Sequence, residues 1–267
     1  MQMRQRTVLI TGGTSGMGLE WARELFRRGN TVIVTGRDQE KLNALELALP
    51  GVHTFRSDAS DPQPIALLRE AVIARFPALD VLINNAGIMR NLRFGAAESL
   101  EDVTREIEIN LSGSVRMIDQ FLAHLMTRPD ALIVNVSSGL AFIPFPAAPV
   151  YSASKAAMHS FSQSLRVQLQ GTGVTVVELA PPGVETPLFR GEFAAETQGQ
   201  KAMDPKVLVR RAIAGIEAGK LEIRPGVSNV LNVMSRISPQ FMLRQMAKMS
   251  RPKDNLSVRS NPGPAAA

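Results

Sequence analysis

The chain has 267 residues, of which 45% are apolar and 20% charged, as is usual for a globular protein with a sizeable core. It contains no cysteine, which excludes disulfides and thiolate metal sites, and its three histidines (His53, His124 and His159) lack the spacing of metal ligands, so no metal is expected. The net charge is +6, but the basic surplus falls after position 204, almost without aromatic residues, so no nucleic-acid partner is expected.

The N-terminal segment is basic, but its apolar run, Val8 to Ile10, is too short for the core of a signal peptide. No later apolar run is long enough to span a membrane. We therefore expect a cytoplasmic protein without a membrane partner.

Short β-rich runs alternate along the chain with amphipathic stretches of helix length. Several runs are continuous in Val, Ile and Leu, which is typical of strands buried on both faces. Between them, helices are predicted over 19–29, closed by Gly29, and over 64–76, opened by Pro64. Strands are predicted over residues 7–11, 31–36, 52–55, 80–87, 131–138, 174–180 and 220–224.

This alternation predicts the fold class α/β, with a doubly wound parallel sheet of the Rossmann type. About seven strands would carry helices on both faces, joined by right-handed crossovers. No linker divides the chain, so a single NAD(P)-binding catalytic domain is predicted over residues 1–249. The remaining tail, residues 250–267, is poor in apolar residues and is predicted to be disordered.

The first strand runs into the segment T-G-G-T-S-G-M-G, which contains Gly12, Gly16 and Gly18, and then into a helix. A turn that brings backbone close to a diphosphate needs residues without a Cβ atom. The helix N-terminus then offers free N–H groups and the positive end of its dipole to the phosphates. The sequence therefore predicts a dinucleotide site at this first strand–helix junction.

The end of the second strand should meet the adenosine ribose of that dinucleotide. A carboxylate there suits the 2′-hydroxyl of NAD, whereas an arginine suits the 2′-phosphate of NADP. The chain has Gly36 followed by Arg37, so NADP(H) is favoured over NAD(H). Asp38, one position later, could weaken this preference.

Tyr151, the only tyrosine, lies four residues before Lys155 on a predicted helix, so both side chains share one face. A phenol with an ordinary pKa of about 10 is a poor acid or base at neutral pH. A nearby ammonium group should favour the phenolate, which predicts a proton-transfer pair. Ser137 and Ser138, after the fifth predicted strand, are candidates for a second hydrogen-bond donor to the substrate oxygen.

The glycine segment, the N-N-A-G sequence that ends at Gly87 and the Y-x-x-x-K spacing together resemble the short-chain dehydrogenase/reductase family, over roughly residues 6 to 225. The segments around Ser138, Tyr151 and Thr186 resemble its DltE-like bacterial oxidoreductase subgroup. The resemblance implies that Ser138, thirteen residues before the tyrosine, is the catalytic serine. It also implies that Asn110 completes the catalytic set by holding a water that connects Lys155 to solvent.

The resemblance further implies that Asp58 contacts adenine and that Thr186 touches the nicotinamide carboxamide, although Asp58 could instead cap the following helix. Pro182 stands where the family has a glycine, so a backbone N–H donor is lost there. The complete set of expected cofactor-binding residues is Thr11, Gly12, Thr14, Ser15, Gly16, Met17, Gly18, Arg37, Asp58, Ala59, Asn85, Ala86, Gly87, Tyr151, Lys155, Pro181, Val184 and Thr186.

Apolar and aromatic residues follow Ser138 and Thr186 and are expected to surround the substrate. Such a lining suits a hydrophobic ketone or aldehyde, although any one of these residues could instead pack beneath a loop. The expected substrate-lining residues are Leu140, Phe142, Phe145 and Phe189.

Together these features predict an NADP(H)-dependent carbonyl reductase or alcohol dehydrogenase acting on a small-molecule carbonyl/alcohol substrate. Two alternatives stay open: a nucleotide-sensing regulatory protein without turnover, and an imine or enone reductase that uses the same site. The resemblance also implies a homodimer or homotetramer that pairs through the helix of Tyr151. Ala156, Ala157, Met158 and Phe161 are expected at that contact.

Overall fold

The computed structural model describes residues 1–95 and 99–250. Within these ranges the strands form one wholly parallel sheet in the order β3-β2-β1-β4-β5-β6-β7. The strands are β1 (Thr7–Thr11), β2 (Thr31–Gly36), β3 (His53–Arg56), β4 (Val81–Asn84), β5 (Ala131–Val136), β6 (Val174–Leu179) and β7 (Glu222–Ile223).

Helices connect the strands and cover both faces of the sheet. A π-helical turn (Glu108–Ser112) joins two of them, and a short 3₁₀ turn (Gly139–Ala141) follows β5. The helices are α1 (Gly16–Arg27), α2 (Gln39–Ala48), α3 (Pro62–Arg75), α4 (Leu100–Ile107), α5 (Gly113–Leu125), α6 (Pro149–Gln168), α7 (Pro187–Arg190), α8 (Pro205–Glu217), α9 (Val227–Ile237) and α10 (Pro239–Met249).

The core consists of two apolar layers, one on each side of the sheet. Helices α1, α2 and α8 form the first layer, and α3, α5 and α6 form the second. In β1, Val8 and Ile10 pack with Trp21 of α1, whereas Leu9 packs with Phe121 of α5. All residues of β1 are buried, so the prediction of a doubly wound α/β sheet covered on both faces is confirmed.

The strand order reverses at β1, because β2 and β3 lie on one side of it and β4 to β7 lie on the other. At such a switch point the loops after neighbouring strands separate and leave a crevice at the carboxyl ends of the strands. The loops after β1, β2, β4, β5 and β6 therefore surround one region of the molecule.

Two predicted strands were too long at this edge. β4 ends at Asn84 and β5 ends at Val136, so Asn85–Gly87 and Ser137–Ser138 are loops rather than strand. The backbone leaves the β4 ladder because the N–H of Asn85 donates to the Thr11 hydroxyl at 3.0 Å. β7 is also shorter than predicted, whereas α1 begins at Gly16, three residues before its predicted start.

Two other predictions concern the ends and surfaces of the chain. The predicted disorder of the tail falls on residues 251–267, which lie outside the described residues, and Ser250 closes α10 by donating its N–H to the carbonyl of Met246 at 3.1 Å.

Met158 is buried, so it is unavailable for the oligomer contact, whereas Ala156 is exposed. The homo-oligomer stays a prediction.

A membrane-spanning helix and a cluster of metal ligands are both absent from the described ranges. They contain no helix with the length and apolarity needed to cross a bilayer. In the same ranges, no three His, Asp or Glu residues lie close enough together to hold a metal ion.

Candidate active site

The glycine turn after β1 has the close backbone packing that its sequence predicts. Gly12 has a φ of +66°, a conformation that residues with a Cβ atom rarely adopt. A Cβ atom on Gly18 would lie 2.2 Å from the carbonyl oxygen of Gly12. The turn can therefore keep this shape only without side chains at these positions, and it leads directly into the N-terminus of α1.

The N-A-G loop after β4 is hydrogen-bonded to this turn. The side-chain amide of Asn85 donates to the carbonyls of Thr11 and Gly12 at 3.0 and 3.2 Å, and the Thr11 hydroxyl accepts from the backbone of Ala86 at 3.0 Å. Thr11 was expected to bind cofactor, but its side chain is buried, and its hydroxyl oxygen accepts hydrogen bonds from the N-A-G loop. Its role here is to join the two loops.

A cleft of about 280 Å³ runs from the glycine turn to the catalytic helix α6. Of the expected cofactor residues, Thr11, Pro181 and Val184 do not line it. Pro181 and Val184 face a neighbouring apolar cavity, here termed the substrate cavity because most of the expected substrate-lining residues lie in its wall. Those that do line the cleft are Gly12, Thr14, Ser15, Gly16, Met17, Gly18, Arg37, Asp58, Ala59, Asn85, Ala86, Gly87, Tyr151, Lys155 and Thr186.

Some cleft residues escaped the sequence prediction. They directly precede or follow predicted residues along the chain, or lie four residues further on, and this proximity is the signal that could have found them. They include Lys41, Ser57, Ile88 and Pro187.

At the adenosine end of the cleft, Arg37 is exposed, whereas both carboxylate oxygens of Asp38 contact Lys41. Asp38 caps α2 by accepting the N–H of Lys41 at 3.1 Å, and its other oxygen lies 3.3 Å from the Lys41 ammonium. The hydrogen bond from the Lys41 backbone lowers the pKa of Asp38. The charge of Asp38 is thus balanced locally, and Arg37 remains a cation at the wall of the cleft.

Asp58 lies on the same wall and does not cap α3, since Asp61 does so by accepting the N–H of Gln63. Partial burial would raise the pKa of Asp58, but hydrogen bonds from Ser60 and the charges of Arg37 and Arg105 outweigh it and lower the pKa. Asp58 is therefore an ionised acceptor in the cleft.

Tyr151 and Lys155 lie on one buried face of α6, as their spacing predicts. The Lys155 ammonium lies 5.7 Å from the centre of the Tyr151 ring and donates to the carbonyl of Val136 at 2.8 Å. Both side chains line the cofactor cleft, and Tyr151 also lines the adjoining substrate cavity.

The ionisation of this pair differs from the expectation that Lys155 would lower the pKa of the phenol. Burial raises the pKa of Tyr151 to about 12; a hydrogen bond with Ser138 opposes the shift, and the charge of Glu106 adds to it. Burial also lowers the pKa of Lys155 to about 8. The phenol is therefore protonated at neutral pH, which is the form that can donate a proton to a carbonyl oxygen.

Asn110 lies in the π-helical turn between α4 and α5 and is almost completely buried. Its amide donates to the carbonyl of Ile88 at 2.9 Å and to Ser154 at 3.1 Å, while its oxygen accepts the N–H of Ile88 at 2.8 Å. Asn110 lines neither cavity and binds the N-A-G loop to α6. The water connection to Lys155 stays a prediction.

Of the two serines after β5, Ser138 faces the substrate cavity beside Tyr151. Its hydroxyl accepts the N–H of Leu140 at 3.1 Å, which fixes the start of the 3₁₀ turn. The Ser137 hydroxyl points elsewhere and donates to Glu178. The structure thus brings Ser138, and not Ser137, to the position of a second donor.

The substrate cavity has a volume of about 650 Å³ and is lined mainly by apolar side chains. Leu140, Phe145 and Phe189 line it as expected from the sequence, but Phe142 does not. The Phe142 ring instead packs edge-on against His159, with ring centres 5.1 Å apart. The expectation that Phe142 lines the substrate cavity is therefore wrong.

Helices α9 and α10, which no sequence motif connects with the site, also line this cavity. Thioether side chains are frequent in the lining, and no local motif marks them. The lining methionines are Met17, Met89, Met203, Met242, Met246 and Met249.

Glu106 is a fully buried carboxyl group in α4 that the sequence did not single out. One oxygen accepts the N–H of Arg90 at 2.9 Å, and the other has no hydrogen-bond partner among the described residues. Burial raises the pKa of Glu106. The negative charge of Glu106 raises the pKa of Tyr151, so this residue of α4 influences the ionisation of the phenol.

Replacing Glu106 with Gln should move the basic limb of the pH–rate profile to lower pH. Gln keeps an acceptor for the Arg90 N–H but removes a negative charge that raises the pKa of Tyr151. A Tyr151 that acts as the proton donor must be protonated, so activity should then decline at a lower pH. Glu108→Gln makes the same charge change at a partly exposed residue and should leave the limb in place. A limb that stays or moves upward in Glu106→Gln would contradict this coupling.

Comparison with known proteins agrees with these motifs. Residues 6–197 match the family model described as short chain dehydrogenase. The chain is 42% identical over 225 residues to the oxidoreductase DltE of Bacillus subtilis (strain 168), covering 84% of this chain and 89% of DltE. It is 35% identical over 175 residues to the NADP-dependent 3-hydroxy acid dehydrogenase YdfG of Salmonella typhi, covering 65% and 71% of the two chains. A short-chain dehydrogenase from Sphingobium yanoikuyae, solved in complex with NADPH, has a TM-score of 0.76 at 26% identity, covering 95% and 99%.

Proposed function

The chain belongs to the short-chain dehydrogenase family and is an NAD(P)-dependent oxidoreductase, and we propose that it is an NADP(H)-dependent reductase of hydrophobic ketones or aldehydes. The observation that carries the proposal is the position of Tyr151, whose side chain lines both the cofactor cleft and the substrate cavity. Met17, Thr186 and Leu188 also line both. A nicotinamide in the cleft and a carbonyl in the cavity would meet at this shared wall.

The chain's own groups fit the proton half of a carbonyl reduction. Ser138 and Tyr151 would donate hydrogen bonds to the substrate oxygen and stabilise the charge that develops on it. Tyr151 would then transfer its proton, and Lys155, buried beside it, would hold the ribose and stabilise the phenolate that forms. The cofactor supplies the hydride.

The residues of the cleft fit a dinucleotide with a 2′-phosphate. Arg37 and Lys41 bring two basic side chains to the adenosine end, and the Asp38 carboxylate there is already paired with Lys41. The relatives YdfG and the Sphingobium enzyme are described with NADP and NADPH, which supports the same preference.

The hydrophobic character of the substrate is supported by the cavity itself. Beside the proposed donors Ser138 and Tyr151, and next to Thr186, the wall is formed by apolar residues such as Phe145, Phe189 and Leu140. A carbonyl compound with an apolar body would bury its surface there while its oxygen meets the two hydroxyl groups.

The test is a substrate panel followed by the loss of NADPH absorbance. It should contain apolar ketones and aldehydes, small polar carbonyls of equal reactivity, imines and enones. We expect turnover with the apolar carbonyls and a lower KM as the apolar body grows. Preferred turnover of imines or enones, or NADPH binding without turnover of any compound, would contradict the proposal.

A further inference from the structure

A buried carboxylate connects the two elements that carry the proposed catalytic hydroxyl groups. Glu178 lies on β6, and its side chain is 2% exposed. Its Oε1 accepts from the Ser137 hydroxyl, and its Oε2 lies 2.7 Å from Nδ1 of His159. Because an ionised carboxylate only accepts hydrogen bonds, Nδ1 of His159 carries the proton. Both oxygens of this buried group are therefore partnered.

The partners of Glu178 lie next to the residues that would perform the chemistry. Ser137 directly precedes Ser138 in the loop after β5. His159 lies on α6, one turn beyond Lys155 and two turns beyond Tyr151. Glu178 thus joins the loop that bears one substrate donor to the helix that bears the other.

Other contacts surround this connection. The Phe142 ring covers His159, with the two ring centres 5.1 Å apart. The guanidinium of Arg224 lies 5.8 Å from the centre of the Phe142 ring and pairs with Glu222 at 2.7 Å. Glu178 and Ser137 are buried and the His159 side chain is 18% exposed, and in such a largely buried environment a charge-assisted hydrogen bond is stronger and its geometry is better defined. This arrangement also accounts for the absence of Phe142 from the substrate cavity.

We propose that Ser137, Glu178 and His159, here termed the Glu178 clamp, are positioning residues that hold Ser138 at a fixed distance from Tyr151. The inference rests on the proposed function, since it assigns the clamp to the same site. Two donors can stabilise the same developing oxyanion only if their separation is held within a fraction of an ångström. The clamp would fix that separation from outside the substrate cavity: Glu178 and His159 line neither cavity, and Ser137 lines only the cofactor cleft, where its hydroxyl is turned to Glu178.

The test compares His159→Phe with His159→Asn. Phenylalanine keeps a planar ring but removes the donor to Glu178, whereas the Asn amide can occupy the position of Nδ1 and restore it. We expect His159→Phe to lower kcat about 10- to 100-fold, the size of effect that follows a displacement of about 1 Å in a catalytic group. KM and the NADPH dissociation constant should stay near wild type, and His159→Asn should recover most of the lost kcat.

A second variant covers the case in which His159→Phe does not fold. Ser137→Ala removes only the hydroxyl at the other end of the clamp and should lower kcat with the same unchanged KM. Wild-type kcat in either folded variant, or an equal loss in His159→Asn and His159→Phe, would overturn the clamp. A wild-type protein that reduces no carbonyl would overturn the proposed function as well, whereas an active wild type with unaffected variants overturns the clamp alone.

Discussion

Replacing Tyr151 with phenylalanine is expected to abolish carbonyl reduction while leaving NADPH binding intact. The ring packs in an apolar cluster with Phe145 and Phe193, and phenylalanine preserves that packing. Only the hydroxyl is lost, and with it the proton donor. Positioned proton transfer is worth about 10²- to 10⁴-fold, so kcat should fall by at least that factor.

The measurement is single-turnover oxidation of NADPH together with fluorescence titration of the cofactor. Ser160→Ala, which removes an exposed hydroxyl from the same helix, is the matched control and should behave as wild type. If Tyr151→Phe retained wild-type turnover, the proton would have to come from another group and the proposed mechanism would be wrong.

Replacing Arg37 with Glu is expected to reverse the cofactor preference. A charge-assisted hydrogen bond contributes about 1.5–3 kcal/mol, which corresponds to about a 10- to 100-fold change in affinity. Glu at this position would remove that bond to a 2′-phosphate and add repulsion, so NADPH should bind more weakly by at least this factor. NADH lacks the phosphate and should bind about as well as before, or better through its ribose hydroxyl.

Dissociation constants for both cofactors, measured in wild type and variant, test this expectation. Arg4→Glu makes the same charge change at an exposed residue outside the cleft and should alter neither constant. Because surface charges are screened by salt, both proteins are compared at one ionic strength. Tighter binding of NADH than of NADPH by the wild type would contradict the assignment of Arg37.

The parts of the site that could be predicted from the sequence are those fixed by local backbone geometry. Gly12 and Gly18 are marked by the absence of a Cβ atom, which the close packing of the turn requires. Tyr151 and Lys155 share a face because a helix returns to the same side after four residues. The alternation of apolar strands with helices was likewise sufficient for the sheet, since its strands β1, β4 and β5 are buried on both faces.

The parts that could not be predicted depend on contacts between distant segments. Phe142 lies only four residues after Ser138, yet its ring turns away because His159, from another element, offers a packing surface. The pairing of Glu178 with His159 has no local signature for the same reason. Thr11 was assigned to the cofactor as part of the glycine segment, but its hydroxyl instead accepts hydrogen bonds from the backbone of the N-A-G loop.

The ionisation of Tyr151 illustrates a different limit of sequence reasoning. The spacing of Tyr151 and Lys155 reveals a nearby positive charge, but the sequence does not reveal how deeply the phenol is buried. In the fold, burial raises the pKa of the phenol, and the hydrogen bond with Ser138 does not offset it. The tertiary structure is therefore needed to predict how far the pKa of Tyr151 shifts, whereas the sequence is enough to identify Tyr151 and Lys155 as a pair.

The methionine-rich wall of the substrate cavity has a consequence for selectivity. A thioether side chain is unbranched and has three rotatable bonds, so it can adapt to surfaces of different shape. Met242, Met246 and Met249 present such side chains from α10 to the cavity that Ser138 and Tyr151 also line. In an apolar pocket, a single methylene changes discrimination by only about 1–3 kcal/mol. The enzyme should therefore accept a graded series of related carbonyl compounds, and its product in the cell will depend on which of them is abundant.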